Sequence, residues 1–132
     1  MYIEQIDPHL CTHIIYAFAH IDPNELRLHP SEPRDLSTKT GKGNYQTFTE
    51  LKNRNPRLKT MLSLGGANAL SYTFERVVES PDSRWVFIED VIKVLRKYNF
   101  DGLDVDWEYP GLGEKGSSPE SRDYFTEFIR VN

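Results

Sequence analysis

Three strand-length runs, each followed by a stretch of helical patterning, constrain the fold of this chain more than any other feature. The first, Leu10 to Ala19 (LCTHIIYAFA), and the second, Leu58 to Leu64 (LKTMLSL), are almost continuously apolar. The third, Phe100 to Trp107 (FDGLDVDW), alternates apolar and acidic residues. Breakers bound them: Pro8 and Asp22-Pro23-Asn24 around the first, Gly65-Gly66 after the second, and Pro110, Gly111 and Gly113 after the third. Near-continuous apolar runs are expected of strands covered on both faces.

The intervening segments carry helix signals. Asn44 is expected to cap a helix from Tyr45 to Arg54, with Phe48 and Leu51 on one face and Pro56 beyond its end. Tyr72 to Val78 predicts a short helix. Pro81 to Lys97 predicts a longer one, with Ser80 as N-cap and Trp85, Ile88, Val91, Ile92 and Leu95 at helical spacing, Trp85 among the core residues. A last helix is expected from Pro119 to Asn132. Residues 20 to 43 are rich in Pro, Ser, Thr, Gly and Lys and read as a long surface connection with a short strand at Glu25 to Leu28. Strand, helix, strand, helix, strand, helix argues for βαβ units and a parallel sheet, an α/β fold. Three parallel strands make a poor free-standing sheet, and neither end of the chain closes one. The 132 residues are therefore expected to be part of a larger α/β structure, incomplete at both ends and unstable alone.

Composition narrows the function. At 38% hydrophobic and 27% charged residues the chain folds rather than staying disordered. A net charge of −4 gives no reason to expect nucleic acid or an anionic membrane as partner. No apolar run approaches the roughly 20 residues of a membrane span, and the N-terminus lacks the basic start and apolar stretch of a signal peptide. The lone Cys11 is either a small buried thiol or half of a disulfide whose partner lies outside the chain. His9, His13, His20 and His29 have no ligand-like spacing and read as strand or loop residues.

The chemistry is concentrated in the third run. Side chains alternate faces along a strand, so Asp104, Asp106 and Glu108 share one face, while Leu103, Val105 and Trp107 share the other and pack against helices. Three acids in a row cannot all ionise easily. Such a ladder either sets pKa values apart for acid catalysis or binds a hard cation such as magnesium or calcium through oxygen. The absence of a nearby histidine disfavours a transition metal.

The run DGLDVDWE, extended by Tyr109 and Pro110, resembles the Asp-Gly-x-Asp-x-Asp-x-Glu signature of family 18 glycoside hydrolases, the chitinases and chitinase-like proteins. LCTHIIYAFA resembles the second barrel strand of the animal-type members, and LKTMLSLGG the third, with its Ser-x-Gly-Gly end (Ser63, Gly65, Gly66). The resemblance implies part of a (β/α)8 barrel, strands two to four with their helices, and an active site at the C-terminal strand ends. It implies retaining, substrate-assisted cleavage of β-1,4-linked N-acetylglucosamine polymers. Glu108 would be the general acid/base, Asp106 would orient the acetamido group, and Asp104 would share a proton with Asp106. Tyr109 and Phe18 resemble residues lining the cleft, with Gly66 and Ala67 beside substrate. Tyr16, on the same face as Phe18 by parity, would line the cleft or fill the barrel interior. Asp101, of opposite parity, reads as structural, together with Gly102, Ser63 and Gly65. The resemblance implies that Cys11 pairs with a first-strand cysteine absent here, that the parent is secreted, that no cofactor or metal is used, and that the partner is chitin or chito-oligosaccharide.

The chain also departs from the family pattern. Relatives often continue the third strand as Gly-Gly-Trp-Asn-Phe-Gly, where this chain has Ala67 and Ala69 in place of the aromatics. Where relatives carry a tryptophan in an acidic stretch, this chain reads Ser31-Glu32-Pro33-Arg34-Asp35. By analogy with base stacking, each lost platform costs about 1 to 3 kcal/mol of ring stacking. The expectation is weaker or altered binding of long chitin, with a non-catalytic carbohydrate-binding protein as the alternative.

Overall fold

The structure, a computed structural model, describes residues 2–113 and 116–130. Three parallel strands form its centre: β1 (His13–Ile21), β3 (Lys59–Gly65) and β4 (Gly102–Asp106). A short antiparallel strand, β2 (Leu28–Pro30), flanks β1, giving the order β2-β1-β3-β4. The helices are α1 (Asn44–Thr49), α2 (Ser71–Val78), α3 (Pro81–Tyr98) and α4 (Ser121–Arg130).

The helices cover one face of the sheet. Leu62 and Leu64 are fully buried there against Phe74, Val77 and Val78 of α2 and Phe87, Ile88 and Val91 of α3. The other face is open. Register pairs share a face, so Ile15 lies beside Met61, Ala17 beside Ser63, and Ser63 beside Asp104. That inner face would line a barrel; here Ile15 is half exposed. Leu103 and Val105, on the helix side, are only partly buried and line an open apolar groove of about 300 Å³ with Ile88, Val91 and Leu95.

Several sequence expectations need correction. Asn44 begins α1 rather than capping it; the cap is Gly43, and the Asn44 amide donates to Asp35 instead, at 3.1 Å. α1 is shorter than expected and continues as a 3-10 turn, Glu50–Asn53. The flanking strand lies at Leu28–Pro30, later than the expected Glu25 to Leu28. The last helix begins at Ser121, not near Pro119, and the expected run to Asn132 ends beyond the described residues. Trp85 is 56% exposed. It precedes Phe87 by two residues, about 200° around the helix, and Phe87, Ile88 and Val91 mark the face that docks on the sheet. Ser80 caps α3 as expected, accepting the Ser83 N–H at 3.1 Å. Cys11 is exposed, which removes its reading as a buried thiol.

Tyr16 leaves the barrel interior altogether. Its ring packs edge-on against Tyr45 and Phe48 in the helical layer, at 5.2 and 5.3 Å, and its hydroxyl donates to the buried Asp35 at 2.5 Å. Asp35 also accepts the Glu32 N–H at 3.0 Å, which fastens the long connection to β1. Strict alternation would place Phe18 with Tyr16. The register slips between Ala17 and Ala19, however, and the Phe18 ring lies instead over Gly66.

Candidate active site

Asp104, Asp106 and Glu108 converge at the C-terminal end of β4, where β1 and β3 also end. Each acid is held differently. Asp104 accepts the hydroxyl of its register partner Ser63 at 2.6 Å; Ser63 is almost fully buried, so this contact fixes the carboxylate on the inner face. Asp106 sits between the other two. Desolvation first, then the charges of Glu108 and Asp104, raise its carboxyl above the usual range. Tyr109 is half exposed, and the adjacent Glu108 carboxyl, by hydrogen bonding first and charge next, raises its hydroxyl above the usual range.

The glycines between strand ends have different reasons to be there. Gly65 has φ +114°, and a Cβ on it would lie 2.1 Å from the Asp106 carbonyl oxygen. Gly66 has φ +86°, and a Cβ there would meet the Phe18 ring at 2.9 Å; its N–H donates to the Asp106 carbonyl at 2.9 Å. Gly66 thus lets Phe18 lie across the end of β3. Ala67, next in the chain, is exposed. Gly102 differs, because a Cβ there would meet Met61 at an ordinary 3.5 Å, and nothing in the structure requires glycine.

Asp101 lies at the opposite end of β4. It accepts from Lys52 Nζ at 2.9 Å, Lys59 Nζ at 3.4 Å and the Thr60 N–H at 2.8 Å, while its own N–H donates to the Thr60 carbonyl. Burial pushes its carboxyl up, but the Lys52 hydrogen bond, the Thr60 N–H and both lysine charges outweigh it and bring it down to about 2. These contacts hold the start of β4 in register with β3.

The outer side of the strand end has no gap. Trp107 is buried; its indole N–H donates to Ser71 Oγ at 2.5 Å, its ring stacks on Phe74, and Phe125 meets it edge-on. Sequence reasoning placed Trp107 outward but missed its partners, along with Glu75 and Ser117 around the loop after Tyr109. Their only sequence signal is the helical spacing of Ser71, Phe74 and Glu75. Among the described residues no group of three or more His, Cys, Asp or Glu is arranged to hold a metal ion. Asp101 is thus a structural anchor at one end of β4, while Asp104, Asp106 and Glu108 follow one another towards the other. Such a row can hold and pass protons next to a group bound across the strand ends.

Comparison with known proteins agrees with this geometry. The family model described as glycosyl hydrolases family 18 matches residues 1–131. Probable chitinase 2 of Drosophila melanogaster is 42% identical over 124 residues, which is 93% of this chain and 25% of that protein. The chain thus spans about a quarter of the length of that relative. The crystal structure of the Ostrinia furnacalis group IV chitinase in complex with allosamidin superposes with a TM-score of 0.87 at 35% identity, over 98% of this chain and 34% of that one. Human YKL-39, a pseudo-chitinase with retained chitooligosaccharide binding properties, superposes with a TM-score of 0.79 at 38% identity, over 98% and 32%.

Proposed function

Because the chain belongs to the glycosyl hydrolases of family 18, we propose that it forms part of the catalytic barrel of a secreted chitinase acting on chitin or chito-oligosaccharides. It would supply the second to fourth barrel strands. The observation that carries this reading is the inner-face triad, in which Asp106 is biased towards its protonated form between Asp104 and Glu108, and Glu108 ends the row beside Tyr109. Glu108 is the group with access to a leaving group above the strand ends. It gives its proton to the departing glycosidic oxygen as the acetamido carbonyl oxygen bonds the anomeric carbon. Asp106 accepts the acetamido N–H and so orients the carbonyl oxygen towards the anomeric carbon; as positive charge develops on the oxazolinium, the Asp106 proton shifts towards Asp104, which Ser63 holds within reach, and leaves a carboxylate beside that charge. Water then attacks the anomeric carbon, returns a proton to Glu108 and opens the ring.

In the full-length protein Glu108→Gln keeps the shape of the site and removes the proton. Turnover of chito-oligosaccharides is expected to fall by about 10²-fold or more while binding persists; turnover within a few-fold of wild type would refute the assignment. A second reading is binding without hydrolysis. It is favoured by the exposed Ala67, which offers no ring for a sugar to stack on, and by the likeness to a pseudo-chitinase. Oligosaccharide binding without turnover in the wild-type full-length protein would decide for it.

A further inference from the structure

The strand end that carries Glu108 and Tyr109 is gripped from both sides by one face of a helix outside the acidic row. Ser71, Phe74 and Glu75 stand at i, i+3 and i+4 on α2, so they share a face. Ser71 and Phe74 hold Trp107, the residue before Glu108, through the indole hydrogen bond and a stack with centroids 5.1 Å apart. Glu75 holds the chain after Tyr109. Its Oε1 accepts the Ser118 backbone N–H at 2.7 Å and the Ser121 hydroxyl at 2.9 Å. Ser117, adjacent and almost fully buried, donates its hydroxyl to the Tyr109 carbonyl at 2.7 Å. The Ser118 contact keeps the Glu75 carboxyl below the ordinary glutamate range, so it accepts as an anion. Among the described residues Glu75 makes no ion pair; its acceptor capacity is directed at this loop.

We propose that Glu75 is a positioning residue for hydrolysis: through Ser118 and Ser117 it fixes the backbone at Tyr109, and with it the place of the adjacent Glu108. The inference rests on the reading of Glu108 as general acid, and its test separates the two. Glu75→Ala and Glu75→Gln are made in the full-length protein. The first readout needs no substrate: the pH titration of the Tyr109 ring, followed by carbon-13 NMR of labelled tyrosine. Tyr109 faces Glu108 and, further off, Asp106, which lift its titration. Glu75→Ala is expected to bring that titration back towards an ordinary tyrosine, and Glu75→Gln, which keeps the acceptor for Ser118, to leave it near wild type. An unchanged Tyr109 titration in Glu75→Ala overturns the proposal.

The second readout is kinetic. Glu75→Ala should lower kcat by about ten-fold with KM little changed, since misplacement of a reacting group acts on the chemical step. Combined with Ser117→Ala it should cost nothing further; losses that multiply would show that Glu75 does not act through Ser117. If Glu75→Ala fails to fold, Ser117→Ala breaks the same chain of contacts without touching α2, and the same two outcomes apply. If the wild type turns over no chito-oligosaccharide, the hydrolase reading falls and the titration alone decides the clamp.

Discussion

Gly65→Ala is the sharpest test of the packing between the two strands that build the site. The glycine has φ +114°, a region that alanine adopts at a cost of about 1 to 2 kcal/mol. The added Cβ would stand 2.1 Å from the Asp106 carbonyl oxygen, which is backbone and cannot rotate away. Relief requires β3 and β4 to part at their C-terminal ends. That sacrifices the Gly66 N–H to Asp106 hydrogen bond of 2.9 Å, worth about 1 kcal/mol. The sum is about 2 to 3 kcal/mol, or a fall in Tm of about 4 to 12 °C for a domain of about 150 to 250 residues and less for a larger one. Thermal and urea unfolding of the full-length protein measure it, with Gly41→Ala as control. No atom lies within 4 Å of a Cβ at Gly41, so that variant should stay within about 0.5 kcal/mol of wild type. A Gly65→Ala protein as stable as the Gly41→Ala protein would refute the reasoning, because it would mean that the strand ends are not in contact as described.

Three further outcomes follow from the same strand. Asp101 titrates below its ordinary 3.8, at about 2, so it stabilises the fold above pH 4 and that contribution is lost as pH falls from about 4 to 2. Asp101→Asn should remove about 1 kcal/mol at pH 7, after discounting for its partly exposed side chain, and flatten the acid limb of stability; an unchanged limb would exclude the anchor. Asp106 shifts the other way. A carboxyl raised in the folded state favours the fold below its unfolded pKa and opposes it once pH rises through the folded value, so Asp106→Asn should raise Tm at pH 7 while turnover falls; a lower Tm would contradict the crowding of charges. Trp107→Phe keeps the stack on Phe74 but leaves Ser71 without the indole donor, for a loss of about 1 to 2 kcal/mol by denaturant titration; no loss would mean that the 2.5 Å contact carries nothing.

The three parallel strands and the shared face of the acids were legible because both rest on strict periods: alternation along β4, and apolar runs stopped by Gly65-Gly66 and Pro110. What failed were positions where a period is interrupted or shared. Tyr16 and Phe18 are two residues apart, which by parity puts them together, yet a register slip between Ala17 and Ala19 sends one to the helical layer and the other over Gly66. Trp85 fits helical spacing with Ile88 and Ile92, but a helix has several such stripes, and the one that docks is chosen by partners distant in sequence. Asn44 was expected as a cap because caps are local; it was taken instead by Asp35. The grip of Glu75 on Ser118 and Ser121 spans more than 40 positions and leaves no local trace.

Stability and chemistry are divided between the two faces of β4. The inner face costs stability at neutral pH, because desolvation and then the charges of Glu108 and Asp104 disfavour the ionised Asp106. The compensation lies elsewhere on the same strand: two lysines on Asp101 at one end, and at the other a buried tryptophan bonded to Ser71 and stacked on Phe74. A strand stabilised only by its inner neighbours would relax by spreading its carboxylates, lowering the proton affinity of Asp106. Anchoring it from the outer face and the far end keeps the acids close without adding a positive charge among them, which would pull the proton off Asp106. Lys52 and Lys59 accordingly both contact Asp101, at the opposite end of the strand from Glu108.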